Sequence, residues 1–209
     1  EKDIMHRRLD QVSGEGVKCV TNGEVGGRVS VEELRRDFDA IVLAGGSEQP
    51  RDLKIPGREL KGIHFAMEFL PQQNRRCHGD ALDPALDILA NDKHVVIIGG
   101  GDTGADCLGT CHRHKPLSVH QFEIMPKPPD ERSPSTPWPL WPMQLRVEGA
   151  HEEGGIRDWS IATLKFTGDE NGNVKQLHAV RVGAAPKFEP IAGSEFTMDA
   201  DLILIAMGF

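Results

Sequence analysis

Three glycines, Gly99, Gly101 and Gly104, stand in the spacing G-x-G-x-x-G and follow directly on the β-branched run 95–98. That arrangement handles phosphate. The first glycine permits a tight turn out of a strand, and the second leaves room for a pyrophosphate beside the backbone. The third lets the following helix pack closely on the sheet. The amino terminus of that helix, with free N–H groups and a partial positive charge, then faces the phosphates. The spacing alone is a weak signal, but here a strand pattern precedes it and a helical pattern follows, as a dinucleotide-binding turn requires. Gly99, Gly100, Gly101, Asp102, Thr103 and Gly104 are therefore the candidate cofactor-binding residues of the turn.

The next predicted strand, 117–124, carries Glu123 near the expected interval of ~20 residues, where an acidic side chain accepts hydrogen bonds from the ribose hydroxyls of NAD. Lys127 and Arg132 follow on the next loop, and a cation there pairs with the 2′-phosphate of NADPH instead. Two basic residues on a flexible loop outweigh one carboxylate free to turn away. The expectation leans to NADPH over NADH.

The elements that would position these residues alternate between strand and helix, which makes the chain α/β. Residues 17–21 and 39–44 read as strands, and between them Ser30 and Glu33 form a capping box at the start of a helix. Residues 50–62 read as a loop and 63–72 as a helix, with Phe65, Met67 and Phe69 as packing candidates. A short helix is expected near 84–90 and a longer one over 103–114. The loop after the 117–124 strand holds many prolines and every tryptophan, and tryptophans are good packing residues, so it reads as an ordered cover on the domain. Runs 161–167 and 174–182 flank a hairpin turn at 168–173. Residues 196–198 give a third strand, and 201–206 a buried parallel one. Two strand endings match, Ile-Val-Leu-Ala-Gly at 41–45 and Leu-Ile-Ala-Met-Gly at 204–208, which suggests two similar nucleotide-binding units, one of them incomplete.

Composition narrows the function. The formal charge of −8 argues against a nucleic-acid or anionic-membrane surface. No apolar run reaches the ~20 residues that span a bilayer. Cys19, Cys77, Cys107 and Cys111 form no C-x-x-C pair and match neither zinc nor iron–sulfur spacing, so no metal site is expected. Cys107 and Cys111 read as packing residues of one helix face, and unpaired cysteines suit a reducing cytoplasm. The nine histidines, His112 and His114 among them, read as surface residues. The chain starts without methionine and stops just after a strand-like run. It reads as a piece of something longer.

Several further segments complete a pattern: 44–46 with 50–58, 62–67, 95–106, 121–129, the Pro137-to-Pro142 loop, the turn 151–155 and the ending Ala206-Met207-Gly208-Phe209. With these the chain resembles the small subunit of glutamate synthase and the wider group of flavoprotein electron-input modules. The resemblance implies a Rossmann-like, three-layer nucleotide-binding domain of the glutathione-reductase type at 61–209, with part of a second such domain, for FAD, at 1–60. It also adds Gly208 to the cofactor-binding candidates. In such proteins NAD(P)H passes a hydride to FAD, and electrons cross iron–sulfur clusters to a large subunit that makes glutamate. FAD and the clusters would then belong to the full-length protein. No flavin is expected on this stretch, which lacks a second phosphate-binding glycine turn. No catalytic residue is named, because cofactors carry the chemistry in such enzymes. A related flavin oxidoreductase module, a non-catalytic NAD(H) sensor and a methyltransferase are the alternatives. The hairpin before the last strand and the second Ala-Gly-Gly ending favour the flavoprotein.

Overall fold

The computed structural model describes residues 2–209, which fall into two contact units, one ending at Gly46 and the other running Ser47–Phe209. The first unit holds α1 (Lys2–Gly14) and α2 (Val31–Asp37). The capping box forms as expected: Ser30 Oγ accepts from the Glu33 N–H at 3.1 Å, and the Glu33 carboxylate accepts from the Ser30 N–H at 3.3 Å. The two strands expected here do not form. Residues 17–21 and 39–44 lie outside any strand, and Val42 and Leu43 are 87% and 91% exposed. An apolar run becomes a strand only when a neighbour takes up its N–H and C=O groups. The only strand-like pairing described in this unit is a single bridge between Val25 and Val29.

The second unit has three layers. Its centre is a parallel sheet of β1 (Ile63–Phe65), β2 (His94–Ile98), β3 (Ser118–Glu123), β4 (Ile156–Trp159) and β8 (Leu202–Ile205), in the order β1-β8-β2-β3-β4. One face carries α3 (Ala66–His78), α4 (Asp102–Arg113) and the short α5 (Gly149–Glu152). The other carries an antiparallel sheet of β5 (Ile161–Gly168), β6 (Val174–Arg181) and β7 (Phe196–Asp199). Because successive strand residues point to opposite faces, the uninterrupted apolar text of β2 serves both layers. Val95 and Ile97 pack with Phe69, Cys107 and Leu108 of the helices. Val96 and Ile98 pack with Phe166, Val174 and Leu177 of the antiparallel sheet. The guanidinium of Arg181, on β6, grips Asp158 of β4 through bonds of 2.7 and 2.6 Å. That contact holds the Asp158 carboxyl below its ordinary range and ties the two sheets together at one edge.

Several expectations need correction. The segment 63–72 begins as a strand, since Ile63, His64 and Phe65 pair with β8 before α3 starts. Of its packing candidates Phe69 is fully buried, whereas Met67 is exposed. The helix near 84–90 shrinks to a single 3-10 turn at Pro84–Leu86. The histidines are not all on the surface. His114 is buried edge-on to Phe69 at 5.6 Å, where its Nδ1 accepts from the Ala90 N–H and its Nε2 meets Gln73 Oε1. Cys107 and Cys111 pack α4 as expected; burial raises both thiols, that of Cys111 to about 12, so neither forms a nucleophilic thiolate near neutral pH. The tryptophans of the long loop are not its packing anchors. Trp138 and Trp141 are 82% and 75% exposed, and the Arg146 guanidinium lies 3.9 Å from the centre of the Trp141 ring. No described helix is long and apolar enough to cross a membrane.

Candidate functional site: the glycine turn after β2

The chain leaves β2 at Gly99, whose φ of +131° lies where side chains are strained. A β-carbon there would also overlap the Ala206 carbonyl at the end of β8. At Gly104, on the first turn of α4, a β-carbon would overlap the Gly99 carbonyl and the Gln121 amide. Gly101 is different. It caps α4 without a side-chain bond, and no atom lies within 4 Å of where its β-carbon would stand. The outer glycines are thus excluded from change by protein, while the middle one faces open space beside uncapped helical N–H groups. That is the division of labour a pyrophosphate needs. The turn sits where β2 leads on to β3 on one side while β8 flanks it on the other, the switch point at which open α/β sheets bind ligands.

A cleft of about 290 Å³ opens from this turn; Gly100, Gly101, Asp102 and Glu123 line it together with Arg146, Glu148, His151, Arg157 and Trp159. Glu123 is not a carboxylate free to turn away. Its Oε2 accepts from the Gly100 N–H at 2.7 Å and its Oε1 from the Met125 N–H at 3.0 Å, so it fastens the turn to the end of β3. Thr103 and Gly208 meet on another side of the helix terminus, around a constricted space that Phe65, Met67 and Phe209 also line. The Gly208 carbonyl there accepts from the Arg51 N–H at 2.9 Å.

The two predicted cations do not line the cleft. Arg132 donates to the carbonyls of Thr136 and Leu140 at 2.9 and 2.7 Å, closing its own loop. Lys127 pairs with Asp130 at 3.2 Å and lies 5.8 Å from the Trp159 ring centre. The cations on the cleft are Arg146 and Arg157, which sequence reading missed because their meeting depends on β4 pairing with β3. Gln121 and His151 were missed as site residues too. Gln121 is 2% exposed, and its amide donates to the Gly99 carbonyl at 2.9 Å while accepting from His151 at 3.2 Å. Among the described residues no cluster of three or more His, Cys, Asp or Glu could hold a metal ion.

Residues 5–209 match the family described as pyridine nucleotide-disulphide oxidoreductase. The chain belongs to that family. The match decides against the methyltransferase alternative. Among the relatives, the glutamate synthase [NADPH] small chain of Mycobacterium tuberculosis is 54% identical over 213 residues, an alignment covering all of this chain and 43% of that protein. The glutamate synthase [NADH] of Schizosaccharomyces pombe is 43% identical, again across the whole chain but over 11% of its own length. The chain therefore spans less than half of these relatives. Among solved structures, Mycobacterium tuberculosis FprA in complex with NADPH superposes with a TM-score of 0.60 at 15% identity, covering 89% of this chain and 53% of that one. At that identity the likeness speaks for the fold.

The open Gly101, the uncapped helix terminus and the flanking arginines fit a pyridine nucleotide, whose anionic backbone they complement. A flavin fits less well. The first contact unit contains two helices and, among the described residues, no strand–glycine–helix cradle for a flavin's phosphates.

Proposed function

We propose that residues 61–209 are the NAD(P)H-binding domain of a glutamate synthase small chain, and that 1–60 belong to the neighbouring FAD domain. In the whole protein NAD(P)H would supply a hydride to FAD, and the electrons would pass through iron–sulfur clusters to a large subunit that forms glutamate. The 54% identity to a glutamate synthase small chain across the full length supports this reading. The observation that carries it is the contrast among the glycines, with Gly99 and Gly104 jammed against protein and Gly101 open at the helix terminus. This chain's own part is to bind and orient. The free N–H groups at the start of α4 hold phosphate, Glu123 keeps the turn in register with β3, and Gln121 anchors the Gly99 carbonyl. The free thiols of Cys19, Cys77, Cys107 and Cys111 agree with a reducing, cytoplasmic setting.

Gly101→Val tests the site. Its φ of −84° and open surroundings accept a side chain, so the fold should survive with a loss of about 1 kcal/mol at most from a poorer cap. Binding of NAD(P)H should weaken by roughly 100-fold, about 2.7 kcal/mol. Titration calorimetry on wild type and variant, with circular dichroism as fold control, reads both. Equal affinity would remove the turn from the site.

A further inference from the structure

We infer that Arg146 and Arg157 hold the 2′-phosphate of NADPH and make the cleft select it over NADH. The inference rests on the nucleotide site proposed above and moves the cations from Lys127 and Arg132 to Arg146, further along the same loop, and to Arg157 on β4. The Glu123 carboxylate, the usual partner of an unmodified ribose, already receives one N–H on each oxygen from the backbone around it. Arg157 carries the opposite imbalance. Half-buried arginines elsewhere in this unit each hold a carboxylate, Arg58 with Asp52 at 2.7 Å and Arg76 with Asp87 at 3.0 Å. Arg157 and Arg146 both line the cleft, and neither has a carboxylate within 4.0 Å among the described residues. Burial without a paired anion lowers the Arg157 pKa, with only the more distant Glu148 opposing.

The two guanidiniums are also braced. Arg157 Nη1 donates to the Arg146 carbonyl at 3.0 Å, and its Cζ lies 5.3 Å from the centre of the Trp159 ring. Arg146 stacks on Trp141 at 3.9 Å. A guanidinium stacked on a ring keeps its N–H edge available for a bidentate contact with a phosphate. Asp102, Glu123 and Glu148 share the cleft. A 2′-phosphate monoester, which adds nearly two negative charges to those of the pyrophosphate, therefore has to be met by both arginines, a demand the unphosphorylated ribose of NADH does not add.

Dissociation constants for NADPH and NADH, measured at low and high salt on the wild-type protein and on Arg157→Gln and Arg146→Gln, test the assignment. The wild type should prefer NADPH, and the preference should shrink with salt. Each substitution should cut the NADPH-over-NADH ratio by about 10-fold. An equal loss for both nucleotides, or a wild type that prefers NADH, overturns the inference and leaves the nucleotide site standing. Binding of neither nucleotide by the wild type overturns the site and this inference with it. Arg146 is exposed, so its variant reads the outcome even if Arg157→Gln fails to fold.

Discussion

The Glu148 N–H donates to His151 Nδ1 at 2.9 Å, which leaves the proton of the neutral ring on Nε2. Nε2 therefore donates to Gln121 Oε1, which turns the Gln121 amide N–H₂ towards the Gly99 carbonyl. The relay needs a neutral imidazole, because a protonated Nδ1 could not accept from Glu148. Burial, reinforced by Arg157 and opposed by Glu148, lowers the His151 pKa below its ordinary 6.5. Burial also leads the lowering at His114, where the ring likewise accepts a backbone N–H. A histidine whose folded pKa is depressed contributes stability that is complete above the unfolded value and is lost as pH falls through the folded one. The protein should therefore unfold at lower denaturant at pH 5 than at pH 8, with a smaller difference in His151→Gln. Urea titrations at the two pH values decide it, and greater stability at pH 5 would contradict the relay. The glycines were legible in the sequence because their constraints arise within one strand–turn–helix. His151, Arg146 and Arg157 were not, since no short spacing announces residues brought together by a third strand.

Phe69 is fully buried on α3 against the helix-side core and the edge of the His114 ring. Phe69→Ala should destabilise the protein by about 3–5 kcal/mol, measured by chemical denaturation, and a loss below about 1 kcal/mol would place α3 outside the core. The elements as a whole show what apolar text can and cannot announce. β2, β5, β6 and β8 match their predicted spans within a residue or two because run length and turn residues mark their ends. The stretch 39–44 has much the same text as β8 yet lies outside any strand, whereas β8 has β1 on one side and β2 on the other. β1 escaped notice for the converse reason. It is three residues long and owes its extended form to a partner near residue 204, while its Phe65 keeps helical spacing with Phe69 of α3.

Among the described residues, the buried ones are confined to the second contact unit. No described residue before Ser47 is buried, whereas both apolar cores lie beyond it. Local opening is easiest where apolar contacts are few. Brief trypsin treatment should therefore cut first among Arg7, Arg8, Lys18, Arg28, Arg35 and Arg36, leaving a resistant product that begins at Asp37. Mass spectrometry of early products reads this, and a first cut within 126–148 would count against it. The position of β8 in the sheet has a consequence for synthesis on the ribosome. The strand that separates β1 from β2 is translated roughly a hundred residues after β2, and the carbonyl that shapes Gly99 belongs to Ala206. As the chain emerges from amino to carboxyl end, β2, α4 and β3 appear early, but the glycine turn between β2 and α4 lacks one wall until Ala206 is free. A nascent chain halted before Leu202 would carry every glycine of the turn and still have no finished place for a nucleotide.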